Sequence, residues 1–464
     1  MATTEITAVP LREATKAQQA GHALAGVGQN LIWAFWNGFI LIYFTDAFGL
    51  PPAFVGGLVF LARLVDLFVD PAIGFLADRT RTRWGRYRPF LLFAPLPLGL
   101  ALAATFTVPA LSGAAALVYA TSAYILTGIL FSCIEVPYWS LPVAMARTSD
   151  ERTRIFATSR LAATLAMVVG GIALAPLLKA FGGGTANRGY AAVAVLVAVL
   201  AASLHWTGFS LVREHVVAPR EKVRLRDAAE AVFRNGPFLL LTLAVFLNAT
   251  SLGLRVYLLN HYAEYDLGDL ALVSALTGVA VPGTLVGSLL APRLCRRFAK
   301  RTLFLAGNVY IGLLGVALYF LGWGSLAAVL ALFFLMSFRM GMQQVLNSSM
   351  LADTIDLAKA RTGRSHEGVL TAASTYVGKV ATAVAAALAG LALSAAGYVA
   401  NAVQPEAVQR AIHTYVALVP ALAALVSSVP MLFYRVDAQP AAAPDGAAPG
   451  GPAPASEGAA ADRP

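Results

Sequence analysis

Three charged side chains lie within an apolar stretch of the sequence that is long enough to cross a membrane. Arg63, Asp66 and Asp70 are spaced by three and four residues, so in a helix they project from one face. Two carboxylates beside a guanidinium can ligate a small cation directly or exchange a proton. The alternative is an ion-pair network that only fixes helix packing. Because three charges in hydrocarbon are costly, the functional interpretation is favoured.

A second candidate site combines an acid with an aromatic ring. Glu135 and Trp139 are four residues apart, with Pro137 between them, so they share a helix face near a potential kink. A carboxylate that accepts hydroxyl hydrogen bonds, beside a ring that stacks on C–H faces, suits a sugar and would also serve an amphipathic cation. The alternative is that Trp139 packs against neighbouring helices while Glu135 pairs with Arg63 or Arg160.

Four further cations lie within or near apolar stretches. Arg160 and Lys379 are expected at mid-membrane depth, where they can donate to substrate oxygens or act as structural counter-ions. Arg255 and Arg339 are ambiguous, because Arg255 lies near a helix end and could snorkel to the interface. We therefore leave Arg255 and Arg339 out of the predicted site.

Five arginines crowd the short segment 79–88. Its basic side chains, Arg83 and Arg86 among them, can pair with acids at neighbouring helix ends and so close this side of the protein in one conformation. The alternative is that the segment only fixes topology. The candidate acids are Asp150, Glu151, Asp353 and Asp356.

The composition indicates a polytopic membrane protein. The chain is 58% hydrophobic and only 12% charged, against roughly 25% charged residues in ordinary globular domains. The first apolar run, from about 24 to 48, is too long for the apolar region of a signal peptide and is expected to be the first span. The only cysteines, Cys133 and Cys295, fall in a span and a loop, so no disulfide is expected.

The net charge of +10 does not indicate nucleic-acid binding, because most of the 34 Lys and Arg fall in the termini and the even-numbered loops. This is the positive-inside pattern, and it predicts that both termini are cytoplasmic. With about 20 apolar residues per span, the sequence predicts an all-α membrane protein of twelve transmembrane helices. The predicted spans are 24–48, 53–77, 89–109, 114–145, 153–181, 189–211, 237–262, 270–292, 301–322, 325–352, 367–396 and 411–434.

The basic loops repeat between the two halves of the chain. The segment 79–88 has a counterpart at 293–301, and 147–154 has one at 359–364. Two six-helix bundles with a site between them are the organisation of major facilitator transporters. The predicted parts are a cytoplasmic segment 1–22, a bundle 23–211, a central loop 212–236 with an amphipathic helix at 224–233, a second bundle 237–435 and a disordered tail 436–464.

Four segments carry a resemblance to a known family. They are Arg63-x-x-Asp66-x-x-x-Asp70-Pro71-x-x-Gly74, Arg83-Trp84-Gly85-Arg86-Tyr87-Arg88-Pro89, Glu135-x-Pro137-Tyr138-Trp139-Ser140, and Ala352-Asp353-x-x-Asp356 with Arg361-Thr362-Gly363-Arg364-x-x-Glu367-Gly368. Over roughly residues 20–435, the sequence resembles the glycoside, pentoside and hexuronide cation symporters, a major facilitator branch typified by the melibiose carrier.

The resemblance implies roles for individual residues. The cation-site positions of the family fall on Asp66, Asp70 and Ser132, and the two aspartates would be metal ligands only if the coupling ion is sodium. The substrate-site positions fall on Asn30, Glu135, Trp139, Arg160 and Lys379. The gating and structural charges are expected to be Arg63, Arg83, Arg86, Asp353 and Asp356.

Three positions depart from the family pattern. Gln29-Asn30 replaces a Lys-Asp pair, Val69 replaces an asparagine that helps to choose the cation, and Gln344 replaces an aromatic residue. An amide still accepts and donates hydrogen bonds to hydroxyls, so the change at Asn30 alters specificity more than it abolishes sugar binding. Losing an oxygen ligand at Val69 weakens a sodium site, whereas a proton needs only a titratable carboxylate, so proton coupling is favoured over sodium.

The expected function is secondary active symport of a glycoside or small oligosaccharide with a cation by alternating access. The protein is expected to be a monomer in the bacterial cytoplasmic membrane, in contact with lipid and without a cofactor. One alternative is a cation-coupled carrier of a lysophospholipid or another amphipathic substrate. A polytopic membrane enzyme or sensor is a remote alternative, since the sequence has no metalloprotease motif and no phosphate-binding loop.

Overall fold

The computed structural model describes residues 14–108, 111–146, 148–183, 186–214, 230–323, 325–362 and 367–434. Regular structure in these ranges is helical, apart from one isolated bridge between Thr82 and Gly85. The predicted tail 436–464 lies outside the described residues, and so does most of the predicted amphipathic helix 224–233.

We number fourteen α-helices in chain order. Two short π-helical segments, Tyr43–Ala47 and Tyr262–Asp266, extend α1 and α8. The helices are α1 Lys16–Ile42, α2 Pro52–Arg79, α3 Arg88–Phe93, α4 Pro95–Thr105, α5 Gly113–Met145, α6 Ser149–Gly182, α7 Ala186–Leu211, α8 Gly236–His261, α9 Leu272–Arg297, α10 Lys300–Leu321, α11 Leu326–Thr362, α12 Glu367–Ala395, α13 Glu406–Val426 and α14 Ser428–Leu432.

Ten helices in the described part of the chain are long and apolar enough to cross a membrane. The third predicted span, 89–109, is divided into α3 and α4 because Pro95, which lacks an amide hydrogen, begins a new helix. The 27-residue α1 is not among the ten. It begins at Lys16, ahead of the boundary predicted after residue 22, because Thr15 and Gln18 form a capping box.

When α3 is counted with α4, and α13 with α14, successive helices alternate in direction, which gives the protein two faces. The basic face carries segments 80–87, 212–214 and 298–299, and the opposite face carries segments 48–51, 267–271 and 396–405. We call α1–α7 the N-half and α8–α14 the C-half. Within the N-half, α1 packs against α6 and α7.

The halves meet where α2 packs on α12, α6 on α9 and α1 on α8. Small residues permit the closest approach. A Cβ added to Gly390 of α12 would lie 2.3 Å from the carbonyl oxygen of Pro52 and 2.8 Å from the Cα of Gly56. Because only glycine fits at this distance, the two backbones touch on the side of the opposite face.

Candidate functional site

An ion bridge joins the two halves within the bundle. The Lys379 ammonium, on α12, donates to Asp70 of α2 and lies 3.4 Å from Oε2 of Glu135 on α5. The Lys379 and Glu135 side chains are 25% and 23% exposed, whereas Asp70 is only 10% exposed. Oδ1 of Asp70 is buried and has no hydrogen-bond partner among the described residues. The bridge therefore occupies only one of the two carboxylate oxygens of Asp70.

Arg63 neutralises the other carboxylate of α2. Its Nη1 donates to Oδ2 of Asp66 over 2.9 Å, and its Nη2 donates to Oδ1 of Asn37 over 2.5 Å. The guanidinium carbon also lies 4.7 Å from the ring centre of Trp33 and 5.1 Å from that of Trp36, within the range of cation–π attraction. The two carboxylates predicted to share one face of α2 with Arg63 thus have different partners. Asp66 pairs with Arg63 inside the N-half, whereas Asp70 pairs with Lys379 of the C-half.

Trp139 and Arg160 pack together beside this bridge. The Arg160 guanidinium, on α6, lies 4.8 Å from the Trp139 ring centre, and Phe156 stacks against the same indole at 6.3 Å. The sequence offered Arg63 and Arg160 as partners for Glu135, but the described ion pair of Glu135 is with Lys379. Arg160 thus holds the indole rather than the acid in this conformation.

The remaining predicted cation-site and substrate-site residues, Ser132 and Asn30, lie on α5 and α1. Ser132 is buried on α5, one turn before Glu135. A Cβ added to Gly128, one turn earlier, would lie 3.4 Å from Oδ1 of Asp66, so α5 approaches the α2 carboxylates closely. Asn30 donates its amide to the carbonyl oxygen of Gly26 over 2.8 Å, within its own helix. The contribution of Asn37 was missed from the sequence, where an isolated amide gives no pattern.

The basic segment 79–88 is held by its own half. Glu214 accepts from the backbone N–H groups of Arg86, Tyr87 and Arg88 over 2.8, 2.8 and 2.9 Å. Burial and the neighbouring Asp78 carboxylate raise the pKa of Tyr87 to about 12, so its hydroxyl remains a donor to Asp78, at 3.0 Å. The segment thus has an anchor that does not depend on the C-half.

Two of the four acids proposed to close the basic face have partners within their own half. Asp353 accepts from Lys300 over 2.7 Å, and both residues belong to the C-half. Asp356 is exposed one turn later on α11, and the exposed Arg83 lies over the Trp84 ring at 4.5 Å. Glu151 accepts from the backbone N–H of Ala14. The side chain of Asp150 lies outside the described residues.

Described bonds that join the halves beyond the ion bridge lie toward the opposite face. Asp46 of the N-half accepts from the hydroxyls of Tyr265 and Tyr398, and its backbone carbonyl accepts from Asn401. Nε2 of His261 lies 3.2 Å from the Thr45 hydroxyl. We call this set the Asp46 cluster. It closes the cleft between the halves on the opposite face.

A cavity of about 290 Å³ opens between α8, α9 and α11 of the C-half. Arg255, Arg339 and Gln344 are among its lining residues. Arg255 does not extend to an interface, because its Nε donates to the carbonyl oxygen of Val416 over 3.2 Å. Neither arginine belonged to the site predicted from the sequence.

Comparison with known proteins gives the same overall picture. The family model described as MFS/sugar transport protein matches residues 21–438. The chain is 28% identical to the isoprimeverose transporter of Lactiplantibacillus pentosus, over 90% of this chain and 88% of that protein. It is 29% identical to the glucuronide carrier protein homolog of Escherichia coli, over 89% and 91%. Among solved structures, a nucleoside transporter matches with a TM-score of 0.66 at 11% identity, over 90% of this chain and 99% of that one.

Proposed function

The chain belongs to the MFS/sugar transport family and is a multi-pass membrane transporter, not an enzyme, and from this premise we propose that it imports a glycoside or small oligosaccharide together with a cation. The observation that carries the proposal is the Lys379 bridge between Asp70 and Glu135. It connects the predicted cation carboxylate with the predicted sugar carboxylate through one ammonium. The two relatives described above, an isoprimeverose transporter and a glucuronide carrier homolog, support a sugar substrate.

The proposed architecture is twelve spans in two six-helix bundles with both termini in the cytoplasm. In this arrangement α1 is the first span, and α3 and α4 together form the third. The basic face is then cytoplasmic, by the positive-inside rule. The protein would act as a monomer in a bacterial cytoplasmic membrane and would need no cofactor. The Asp46 cluster would close the periplasmic side in this conformation, and alternating access would open it.

The charge balance of the bridge supports coupling. Asp70, Glu135 and Lys379 together carry a net charge of minus one when all are ionised, so the cluster attracts one monovalent cation. A proton or sodium ion on the open Oδ1 of Asp70 would weaken its hold on Lys379. The ammonium would then be free to favour Glu135 or the substrate. Coupling requires only that this change favours one state of the carrier over the other.

The choice between a proton and sodium depends on the oxygen ligands around Asp70. Val69 contributes no oxygen, and Asp66 is already paired with Arg63. A sodium site would need several converging oxygens, whereas a proton needs only Oδ1 of Asp70. We therefore favour proton coupling. Uptake that strictly requires sodium, at fixed pH and membrane potential, and does not respond to a proton gradient would refute this choice.

The test of the function uses the purified chain in proteoliposomes. We expect Asp70→Asn to abolish uphill glycoside accumulation but to retain counterflow, since exchange needs no driving cation. Glu406→Gln is the matched control, because the described ion pair of this exposed carboxylate is with Arg410 on its own helix. Uphill accumulation that survives in Asp70→Asn would overturn the coupling mechanism. A wild-type protein that performs no counterflow with any glycoside would overturn the proposed function.

A further inference from the structure

The buried charges of the described helices do not balance between the two halves. The carboxylates at the depth of the ion bridge are Asp66, Asp70 and Glu135, all in the N-half. Arg63 pairs with the first, and Lys379 pairs with the other two. The C-half adds Arg255 and Arg339, for which no described carboxylate forms an ion pair. Two guanidinium groups in the C-half are therefore not neutralised by the described side chains.

Arg339 is held rigidly by neutral acceptors. Its Nη2 donates to Oδ1 of Asn248 over 2.8 Å and to Oδ1 of Asn308, and its Nε donates to the carbonyl oxygen of Gly307 over 3.2 Å. The residue is only 8% exposed. These neutral acceptors do not cancel its charge, so its positive field acts on the adjoining cavity.

Arg255 has an unused donor. Its Nε donates to Val416, but its Nη2 is buried without a hydrogen-bond partner among the described residues. Leaving a charged donor buried and unpaired is costly, and native proteins rarely do so without a ligand, water or ion that completes the site. Arginine is also the side chain best suited to bidentate recognition of a planar oxyanion.

Both arginines line the cavity between α8, α9 and α11, together with the amides of Gln343 and Gln344 and the hydroxyl-bearing Thr277. The Oε1 atom of Gln343 is likewise buried without a described partner. A cavity of about 290 Å³ with convergent polar groups has the character of a small-molecule site. Amides and hydroxyls suit sugar hydroxyls, and the guanidinium groups suit an acidic substituent.

The cavity lies at the depth of the ion bridge. On α8, Asn248 bonds Arg339, and two residues later Thr250 bonds the carbonyl oxygen of Ala381 over 3.4 Å. Lys379 precedes Ala381 by two residues on α12, which runs in the same direction as α8. With a rise of about 1.5 Å per residue, Arg339 and Lys379 lie within about 3 Å of the same level. The arginines of the C-half and the ion bridge thus lie at a similar depth.

We propose that this cavity is an oxyanion subsite of the transport site. Arg255 donates to a carboxylate or sulfonate carried by the sugar, Arg339 adds a second positive charge, and the glutamines bind neighbouring hydroxyls. The favoured substrate is therefore an acidic glycoside rather than a neutral one. This inference rests on the proposed function, since it assumes a glycoside bound between the halves.

The test compares two ligands that differ only in the acidic group, methyl β-glucoside and methyl β-glucuronide. Calorimetry and thermal stabilisation are measured on the purified full-length protein. We expect the glucuronide to bind about tenfold or more tightly than the glucoside. Arg255→Gln should remove this preference by weakening glucuronide binding more than glucoside binding, whereas Arg255→Lys should retain part of the preference. Arg410→Gln, which removes an exposed arginine of the C-half, is the matched control and should behave as wild type.

Different results would contradict the subsite and the proposed function. Equal binding of both ligands by the wild type, or an equal loss of both in a folded Arg255→Gln variant, would overturn the subsite. Sulfate or chloride that gives the same Arg255-dependent stabilisation without sugar would overturn its assignment to the substrate. Transport of the glucoside but not of the glucuronide would overturn the subsite and leave the proposed function standing. If the protein neither bound nor transported either glycoside, both proposals would fail together.

Discussion

We expect the hydrogen bonds of the Asp46 carboxylate to stabilise the state that is closed on the opposite face. Asp46 lies on the N-half, and the hydroxyls that donate to its carboxylate, those of Tyr265 and Tyr398, lie on the C-half. Opening the opposite face must separate the two halves there and break both bonds. We therefore expect Asp46→Asn to shift the protein toward the state that is open on the opposite face, without disturbing packing inside either half.

The size of the shift follows from the loss of charge. A hydrogen bond to a charged group contributes about 1.5–3 kcal/mol, and a neutral one contributes about 0.5–1.5 kcal/mol. The substitution thus weakens each phenol–oxygen bond by about 1 kcal/mol and the pair by about 2 kcal/mol. Since each 1.4 kcal/mol corresponds to a tenfold change, the equilibrium between closed and open states should move by about 30-fold.

Spin labels on the opposite face measure this equilibrium. Leu111 of the N-half and Val403 of the C-half are 45% and 96% exposed, so labels there avoid the cluster. The free cysteines Cys133 and Cys295 are first replaced by serine. In Asp46→Asn, electron–electron distance measurements should gain population at longer separations, and the control Glu406→Gln should not. A distance distribution identical to that of the parent protein would refute the role of the cluster.

Three further predictions follow from the same contacts. Asp269→Asn breaks the bond to Lys179 at the opposite face, but these side chains are 44% and 71% exposed. The free energy between the closed and open states should therefore change by less than about 1 kcal/mol. A shift in the label distances as large as that of Asp46→Asn would contradict this. Glu214→Gln weakens three backbone hydrogen bonds of the segment 79–88 and should speed its cleavage by trypsin while lowering the Tm; an unchanged cleavage rate would show another anchor. Gly390→Ala should open the contact of α2 with α12 and lengthen the same label distances, and an unchanged distribution would mean that the backbones yield locally.

The sequence could predict most helices because a membrane sets their length and their composition. The second predicted span, 53–77, corresponds to the helix Pro52–Arg79, and the span 367–396 corresponds to Glu367–Ala395. The length of an apolar stretch does not predict where a helix within it breaks or begins. The division of the third span depends on Pro95, which lacks a backbone donor, and the early start of α1 at Lys16 depends on Thr15, which caps one.

The residues of the ion bridge could be predicted as candidates, but their pairing could not. Helical spacing places Asp66 and Asp70 on one face, and this is local information. Lys379 is 309 positions from Asp70 along the chain, and no periodicity in the sequence records which helices of the two halves will face each other. The prediction therefore assigned Lys379 to the substrate and Asp70 to the cation, whereas the structure joins them through one contact.

The depth of Arg255 in the membrane decides whether its side chain can reach water, and the depth inferred from the sequence alone was incorrect. Counted from the end of its apolar run, it was close enough to an interface to snorkel. The π-helical segment Tyr262–Asp266 extends α8 beyond His261, so Arg255 lies about 16 Å along the helix from its last residue, at about 1.5 Å per residue. An arginine side chain cannot span that distance to reach water at the membrane surface. Its charge must therefore be balanced from inside the protein, and because no described carboxylate pairs with Arg255, the source that we propose is an oxyanion bound in the cavity it lines.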